Sequence, residues 1–349
     1  MHGLRIAITA DPEIPVPPKH YGGIERIVHL LACELTKRGH AITLFAARDS
    51  QVPCRLIPYS GDAIRNAASI ALEVRRRNFD LIHSFGRLAF LSAVLPLSIP
   101  KLMSYQRPIT PRSIVWGTRL AHGTLHFTAC SRQMTAPVRD LAPWHVVYNG
   151  VPVERYDFQP VVSADAPLVF LGRIEHIKGA HLAVEVAKRT GRKLVIAGNI
   201  PQGAQHAAYF DAEIKPHLDG RQISYIGPVD DFQKNALLGT AAALLMPILW
   251  DEPFGIVMAE ALACGTPVIG LRRGSVPEVV EHGANGFVCD GVDEVAAAVG
   301  RIGEIDRGAC RRIMEARFSG PAMVEGYLSV YRCIINSLGF DCSERVSAA

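Results

Sequence analysis

Two carboxylates eight positions apart, Glu252 and Glu260, lie in the run Trp250-Asp251-Glu252-Pro253-Phe254-Gly255-Ile256-Val257-Met258-Ala259-Glu260. The run reads as a loop entering a helix. Pro253 can open that helix because its missing N–H would have no partner there, and Gly265 can close it in a left-handed turn. The free amides of Phe254, Gly255 and Ile256 then point out of the helix start and favour an anion. Gly255 has no side chain to hold a phosphate away. Glu252 stands just before this end, and Glu260 is expected about two turns into the helix. Acceptors for hydroxyls flanking donors for phosphate suit a sugar nucleotide.

Two other stretches carry matching chemistry. In Gly172-Arg173-Ile174-Glu175-His176-Ile177-Lys178-Gly179, Arg173 and Lys178 fall on a loop after a strand, where cations can converge on phosphate. In His20-Tyr21-Gly22-Gly23-Ile24-Glu25, paired glycines at a helix start let backbone amides approach a phosphate closely. His83 and Gln106 fall at strand ends, where ligands bind in sheets of this kind. No G-x-G-x-x-G run supports a dinucleotide.

The string EPFGIVMAEALACGTPVIG resembles the signature of glycosyltransferase family 4, and YGGIE and LGRIEHIKG match two further loops of that family. The resemblance implies the GT-B fold, two Rossmann-like domains facing across a cleft. It implies retaining transfer of a hexose from a nucleoside-diphosphate sugar to a hydroxyl acceptor such as a glycan, a lipid or a small metabolite. UDP-glucose is the expected donor on family frequency. By the same resemblance Glu252 binds donor-sugar hydroxyls and Glu260 the ribose. Gly22, Gly23 and Glu25 face the diphosphate, with Gly172, Arg173 and Lys178 on its phosphates. Gly227 borders the base, and the main chain of Phe254, Gly255, Ile256 and Val257 completes the donor site. Arg173, Lys178 and Glu252 are the expected catalytic group. No cofactor and no metal are expected, since two cations and two helix starts can neutralise the diphosphate. The chain departs from the family after Tyr105, where many relatives carry a His and this chain has Gln106 and Arg107. Gln106, Arg107 and His83 are therefore the candidate contacts to sugar or acceptor. Glutamine cannot take a proton near neutral pH, so a catalytically silent sugar-nucleotide binder is one alternative. An epimerase or a phosphorylase on the same fold is another.

These residues need a frame that brings loops together, and the sequence supplies one. Short apolar runs at Leu4–Thr9, Ala41–Ala46, Leu81–His83, Lys101–Tyr105, Leu125–Ala129 and Val146–Tyr148 alternate with helical periodicity. They predict an α/β, doubly wound parallel sheet. Helices are expected from Gly23 to Gly39, up to Arg77, and from about Arg87. A second set of runs begins at Pro167 and recurs at Leu194–Ala197, Ile223–Ile226, Ala243–Pro247 and around Ile269. The expected domains are 1–150 on the acceptor side, 151–320 for the nucleotide sugar, and a helix over 321–340 crossing back to the first.

Of the 349 residues 49% are hydrophobic and 20% charged, an ordinary soluble composition. A cytoplasmic location is expected from the cysteines. Eight cysteines without a C-x-x-C pair point to reduced thiols rather than zinc or disulfides. Residues 1–150 hold 18 Lys+Arg against 9 Asp+Glu, a surplus of nine positive charges; the remainder holds 19 against 24. That basic half could attract an anionic acceptor or the anionic inner face of a membrane, to which the chain would bind peripherally. No motif for nucleic acid accompanies Arg75-Arg76-Arg77.

Overall fold

The computed structural model describes residues 3–18, 22–60 and 62–338. His20 and Tyr21, part of the second loop above, and the tail after Gly339 lie outside them. The chain forms two compact units, one from residues up to Gly150 together with Gly320 onward, the other from Val151–Ser319.

The first unit holds β1 (Arg5–Thr9), β2 (Ala41–Ala46), β3 (Arg55–Pro58), β4 (Leu81–Ser84), β5 (Lys101–Tyr105), β6 (Leu125–Ala129) and β7 (Trp144–Val146). Every pairing is parallel, in the order β3-β2-β1-β4-β5-β6-β7. Ile6, Ala7 and Ile8 are fully buried, as expected of a central parallel strand covered on both faces. Helices α1 (Gly23–Lys37), α2 (Ala63–Arg76), α3 (Pro111–Ala121) and the short α4 (Arg132–Thr135) belong to this unit.

Three features depart from the sequence reading. The helix expected from Arg87 is a single 3₁₀ turn, Leu88–Leu91; Pro96 lacks the N–H that would carry it onward. The edge strand β3 and the proline-led helix α3 were not foreseen. Pro58 ends β3, a place where a missing ladder donor is tolerated.

The second unit holds β8 (Leu168–Leu171), β9 (Leu194–Ala197), β10 (Ile223–Tyr225), β11 (Ala243–Met246), β12 (Val268–Leu271) and β13 (Gly286–Cys289). Their order, again all parallel, is β10-β9-β8-β11-β12-β13. Its helices are α5 (Ala180–Thr190), α6 (Ala204–Tyr209), α7 (Asp231–Thr240), α8 (Ile256–Ala263), α9 (Val276–Val279), α10 (Val292–Val299) and α11 (Arg307–Phe318). A bridge between Val151 and Ser319 joins the two ends of this unit. The chain then enters α12 (Gly320–Ser337), which packs on α1 of the first unit.

In both sheets the strand order reverses beside the first strand, between β1 and β4 and between β8 and β11. Loops leaving the carboxyl ends of the two strands at such a switch point diverge, opening a crevice for ligands. The loop after β8 is Gly172–Gly179, and the loop after β11 runs from Pro247 to Gly255. Topology alone thus brings together two of the three motif loops, although Lys178 and Glu252 on them are 74 residues apart in sequence.

Candidate functional site

The two loops of the second unit are tied by main chain. The amide of Leu249 donates to Ile177 O at 2.8 Å. Gly179 has φ 77°, and a Cβ there would lie 1.9 Å from Pro247 O, so only glycine permits this approach. The loop carrying Glu252 is held from its far side, where Ser275 N donates to Glu252 O at 3.0 Å and Gly274 N to Asp251 Oδ1 at 3.2 Å.

Helix α8 begins at Ile256, three residues later than expected, with Gly255 as its N-cap at φ 67°. Residues 250–254 are fixed as a loop by these bonds, and the left-handed turn of Gly255 starts the helix. A Cβ on Gly255 would crowd the Met258 and Met246 methyls at 2.9 and 3.0 Å, so the glycine serves packing as well as any ligand. Met258 N bonds Gly255 O, so the first-turn amides of the helix as it forms that have no partner among the described residues are those of Ile256 and Val257. The Phe254 side chain is buried against Phe318, ring centroids 5.8 Å apart. Glu260 is the fifth residue of α8, about one turn from its start instead of two.

Each glutamate is gripped in the same way. Glu252 Oε2 accepts from Lys178 Nζ at 2.5 Å and from Trp250 Nε1 at 2.9 Å, and the Lys178 ammonium stands 4.7 Å from the Trp250 ring centroid. Glu260 Oε1 accepts from Lys234 Nζ at 2.6 Å and Tyr156 Oη at 2.7 Å, with the Lys234 ammonium 5.7 Å from the Tyr156 ring. In both, a lysine and an aromatic donor share one oxygen. The other, Glu252 Oε1 or Glu260 Oε2, makes no hydrogen bond to the described residues. The side chains of Lys178, Glu252, Lys234 and Glu260 are only 14, 13, 12 and 6% exposed, so these are nearly dry charge pairs. Removing one partner of such a pair leaves a charge that water cannot reach well, at a cost of several kcal/mol.

Lys178, read from sequence as a cation for phosphate, is therefore engaged with Glu252, and Arg173 pairs with Glu175 of its own loop at 2.9 Å. Gly172 and Gly198 meet where β8 and β9 end: a Cβ on Gly198 would fall 1.8 Å from Gly172 O. Gly227 closes the same corner, its carbonyl accepting from Gly198 N at 2.9 Å.

Sequence reading missed Lys234 and Tyr156. Lys234 follows a capping box of Asp230 and Gln233 that fixes the first turn of α7, but on sequence it reads as one more helical lysine. Tyr156 lies 104 residues before Glu260 and carries no local signal. Arg307 and Arg311 of α11 were also unread. Arg307 donates to Gly239 O and Ala241 O at the end of α7, and Arg311 to Ala263 O, the last residue of α8. Both cations meet the negative ends of helix dipoles and hold the two helices that carry Lys234 and Glu260.

In the first unit the candidates are distributed differently. Gly22 caps α1, and Arg26 N bonds its carbonyl at 3.2 Å. Gly23 has open space where a side chain would stand. The Glu25 carboxyl folds back toward Gly22 and is nearly buried; burial raises its pKa, and the charge of Asp11 adds to the rise. Asp11 in turn pairs with Arg107. Gln106 makes a reciprocal amide pair with Asn149, Nε2 to Oδ1 at 2.9 Å and Nδ2 to Oε1 at 2.7 Å.

His83 is a correction. It is fully buried, with Nδ1 hydrogen-bonded to Tyr331 Oη and Nε2 to Ser104 Oγ, each at 2.6 Å. Both ring nitrogens are used inside the unit, so His83 contacts neither sugar nor acceptor directly. Its role is to join β4 and β5 to α12.

Two family models match the chain along its length: "Glycosyltransferase Family 4" over residues 21–155 and "Glycosyl transferases group 1" over residues 155–315. Both models describe glycosyltransferases, and neither alone spans half of the chain. Glycogen synthase of Mycobacterium tuberculosis is 32% identical over 202 residues, which is 54% of this chain and 48% of that protein. The matched region spans about half the length of that relative. Among solved structures, AviGT4, a glycosyltransferase involved in avilamycin A biosynthesis, superposes with TM-score 0.72 at 25% identity, covering 96% of this chain and 98% of the other. Anabaena HepE in complex with UDP-glucose superposes with TM-score 0.74 at 17% identity, covering 95% and 100%, and supports the GT-B fold. No helix among the described residues is long and apolar enough to cross a membrane.

Proposed function

We propose that this glycosyltransferase moves a hexose from a nucleoside-diphosphate sugar, UDP-glucose as the first candidate, to a hydroxyl acceptor with retention of configuration. The observation that carries the reading is the pair of matching carboxylates in the second unit. Each has one oxygen fixed and the other available, and they lie about one helical turn either side of the amides of Ile256 and Val257. Glu252 takes donor-sugar hydroxyls and Glu260 the ribose. The amides of Ile256 and Val257, with Arg173 and Lys178, take the diphosphate, the charge that grows as the glycosidic bond breaks.

Lys178 has a double task in this scheme. It orients Glu252 and lies where it can shift its ammonium toward phosphate. Attack from the face the phosphate leaves lets the departing oxygen accept the acceptor's proton, so no second carboxylate at nucleophile spacing is required. Two side-chain cations and a helix start supply the charge that a divalent ion would otherwise bring, so the transfer is proposed to need no metal and no cofactor.

The acceptor belongs to the first unit, and we propose one that is anionic or presented at an anionic membrane surface on the cytoplasmic side. On α3 the exposed face carries Arg112, Trp116, Arg119 and Leu120, with Trp116 62% exposed. Aromatic and basic residues on one helix face suit the interface of an anionic bilayer. A silent sugar-nucleotide binder is the second reading, favoured by the Gln106–Asn149 pair at the position where the family resemblance implies a His.

The test is a product assay. The chain is incubated with labelled UDP-glucose, alone and with lipid or glycan extracts, in buffer containing a chelator. Released UDP and a labelled α-linked product support transfer. Tight UDP-glucose binding with neither UDP release nor product leaves the silent binder standing.

A further inference from the structure

We propose that Lys234 and Tyr156 are positioning residues that make Glu260 discriminate a ribose diol from a sugar that lacks it. The inference rests on the reading of Glu260 as the ribose carboxylate and adds what gives that carboxylate its selectivity.

Glu260 is 4% exposed. A carboxylate so placed must have compensating donors or it is held only at high cost. It has two, and both converge on Oε1, from Lys234 at 2.6 Å and Tyr156 at 2.7 Å. The last torsion of a glutamate is soft and roughly twofold. Donors on one oxygen stop it, so the plane of the carboxylate and the direction of Oε2 are set before any ligand arrives. The donors are themselves fixed. Lys234 follows the capped start of α7, pairs additionally with Asp231 at 3.3 Å, and lies over the Tyr156 ring. The peptide oxygen of Tyr156 accepts from Arg311 at 2.9 Å.

Oε2 makes no hydrogen bond to the described residues and has lone pairs for two donors. Two adjacent hydroxyls meet that need; a ring without them leaves Oε2 nearly buried and unbonded. Preorganisation of this kind turns one carboxylate oxygen into a test for the diol, because the penalty falls on the ligand that cannot donate. The Lys178 and Trp250 grip on Glu252 shows the same construction on the other glutamate.

The experiment compares affinities for UDP and 2′,3′-dideoxy-UDP, and for ADP and its dideoxy analogue, by calorimetry on the wild-type chain and on Glu260→Gln, Lys234→Met and Tyr156→Phe. The wild type is expected to prefer the ribonucleotide by about tenfold or more, the scale of a hydrogen bond to a charged group. That preference should fall to about twofold or less in Glu260→Gln and Lys234→Met, and to an intermediate ratio in Tyr156→Phe. A merely structural role for the two residues would weaken both nucleotides alike and leave the ratio unchanged. If Lys234→Met does not fold, Tyr156→Phe, which keeps the ring, decides. A wild-type ratio near one overturns the reading of Glu260 and this inference with it. A wild-type preference that is lost in Glu260→Gln but intact in the other two overturns the inference alone.

Discussion

Lys178 and Glu252, 74 residues apart in sequence, meet at 2.5 Å and join the loop after β8 to the loop after β11. That contact ties together the cation proposed for the phosphate and the carboxylate proposed for the sugar. A ligand that draws the ammonium of Lys178 away must return a comparable charge to Glu252 or donate to it. On the proposed roles, binding of the phosphate and of the sugar would be coupled within the second unit.

Glu252→Gln is expected to separate the two. The amide keeps the shape of the side chain but loses the charge that holds Lys178, so affinity for plain UDP should hold or rise while affinity for UDP-glucose falls about tenfold, the worth of hydrogen bonds to an ionised acceptor. Calorimetry with both ligands reads the ratio; equal losses for the two would remove Glu252 from the sugar.

Stability should depend on pH through His83. Burial pushes its imidazole down to about 3, against an ordinary value of 6.5. The folded pKa is depressed, so as pH falls below 6.5 the unfolded chain takes the proton and the folded one does not. The contribution is fully present above 6.5 and is lost progressively toward pH 3, by up to about 1.4 kcal/mol for each unit. Urea unfolding at pH 7 and pH 5 should show a smaller change in midpoint for His83→Gln than for the wild type. Identical pH slopes would contradict the assignment.

Arg307 is 9% exposed and donates to three carbonyls and to Thr266 Oγ1. Arg307→Met leaves the carboxyl end of α7 without those donors and is expected to destabilise the second unit by about 2–4 kcal/mol, the range for emptying a buried charged hydrogen-bond site. Thermal unfolding of the variant checks it, and a change under half a kcal/mol would show that water replaces the side chain without loss.

The exposed face of α3 predicts association with anionic vesicles. Co-sedimentation with phosphatidylglycerol vesicles should be lost in Trp116→Ala combined with Arg119→Glu, and should weaken as salt rises, because surface charge is screened beyond about 10 Å at 0.1 M. Retention of the double variant on vesicles would place the contact elsewhere.

Much of the frame was legible because parallel strands are short apolar runs. Ala41–Ala46, Lys101–Tyr105, Leu125–Ala129 and Leu194–Ala197 coincide with their strands residue for residue. The edge strand Arg55–Pro58 was not legible, since half-exposed residues lack that apolar run. The start of α8 was misplaced because Pro253 satisfies a local rule, whereas the turn is decided by Gly255 and by contacts from Gly274 and Ser275. The glutamates and Lys178 carried a motif. Lys234 and Tyr156 could not be read, because what makes them part of the site is a meeting in space with Glu260. His83 misled for the opposite reason: a histidine at a strand end has the address of a ligand contact, and only burial against Tyr331 reveals its use.

The carboxyl ends of β8 and β11 in the second unit are proposed to hold a nucleoside diphosphate carrying a sugar. The most direct measurement is thermal unfolding of the wild type and of the Glu252→Gln, Glu260→Gln double variant in rising concentrations of UDP, UDP-glucose, ADP and ADP-glucose. A ligand that binds only the folded chain adds about 2.7 kcal/mol at a hundred times its Kd. The account predicts that at least one sugar nucleotide raises the wild-type Tm with concentration and that the double variant loses most of this rise. No rise for any of the four ligands at millimolar concentration, or an equal rise in the double variant, would contradict it.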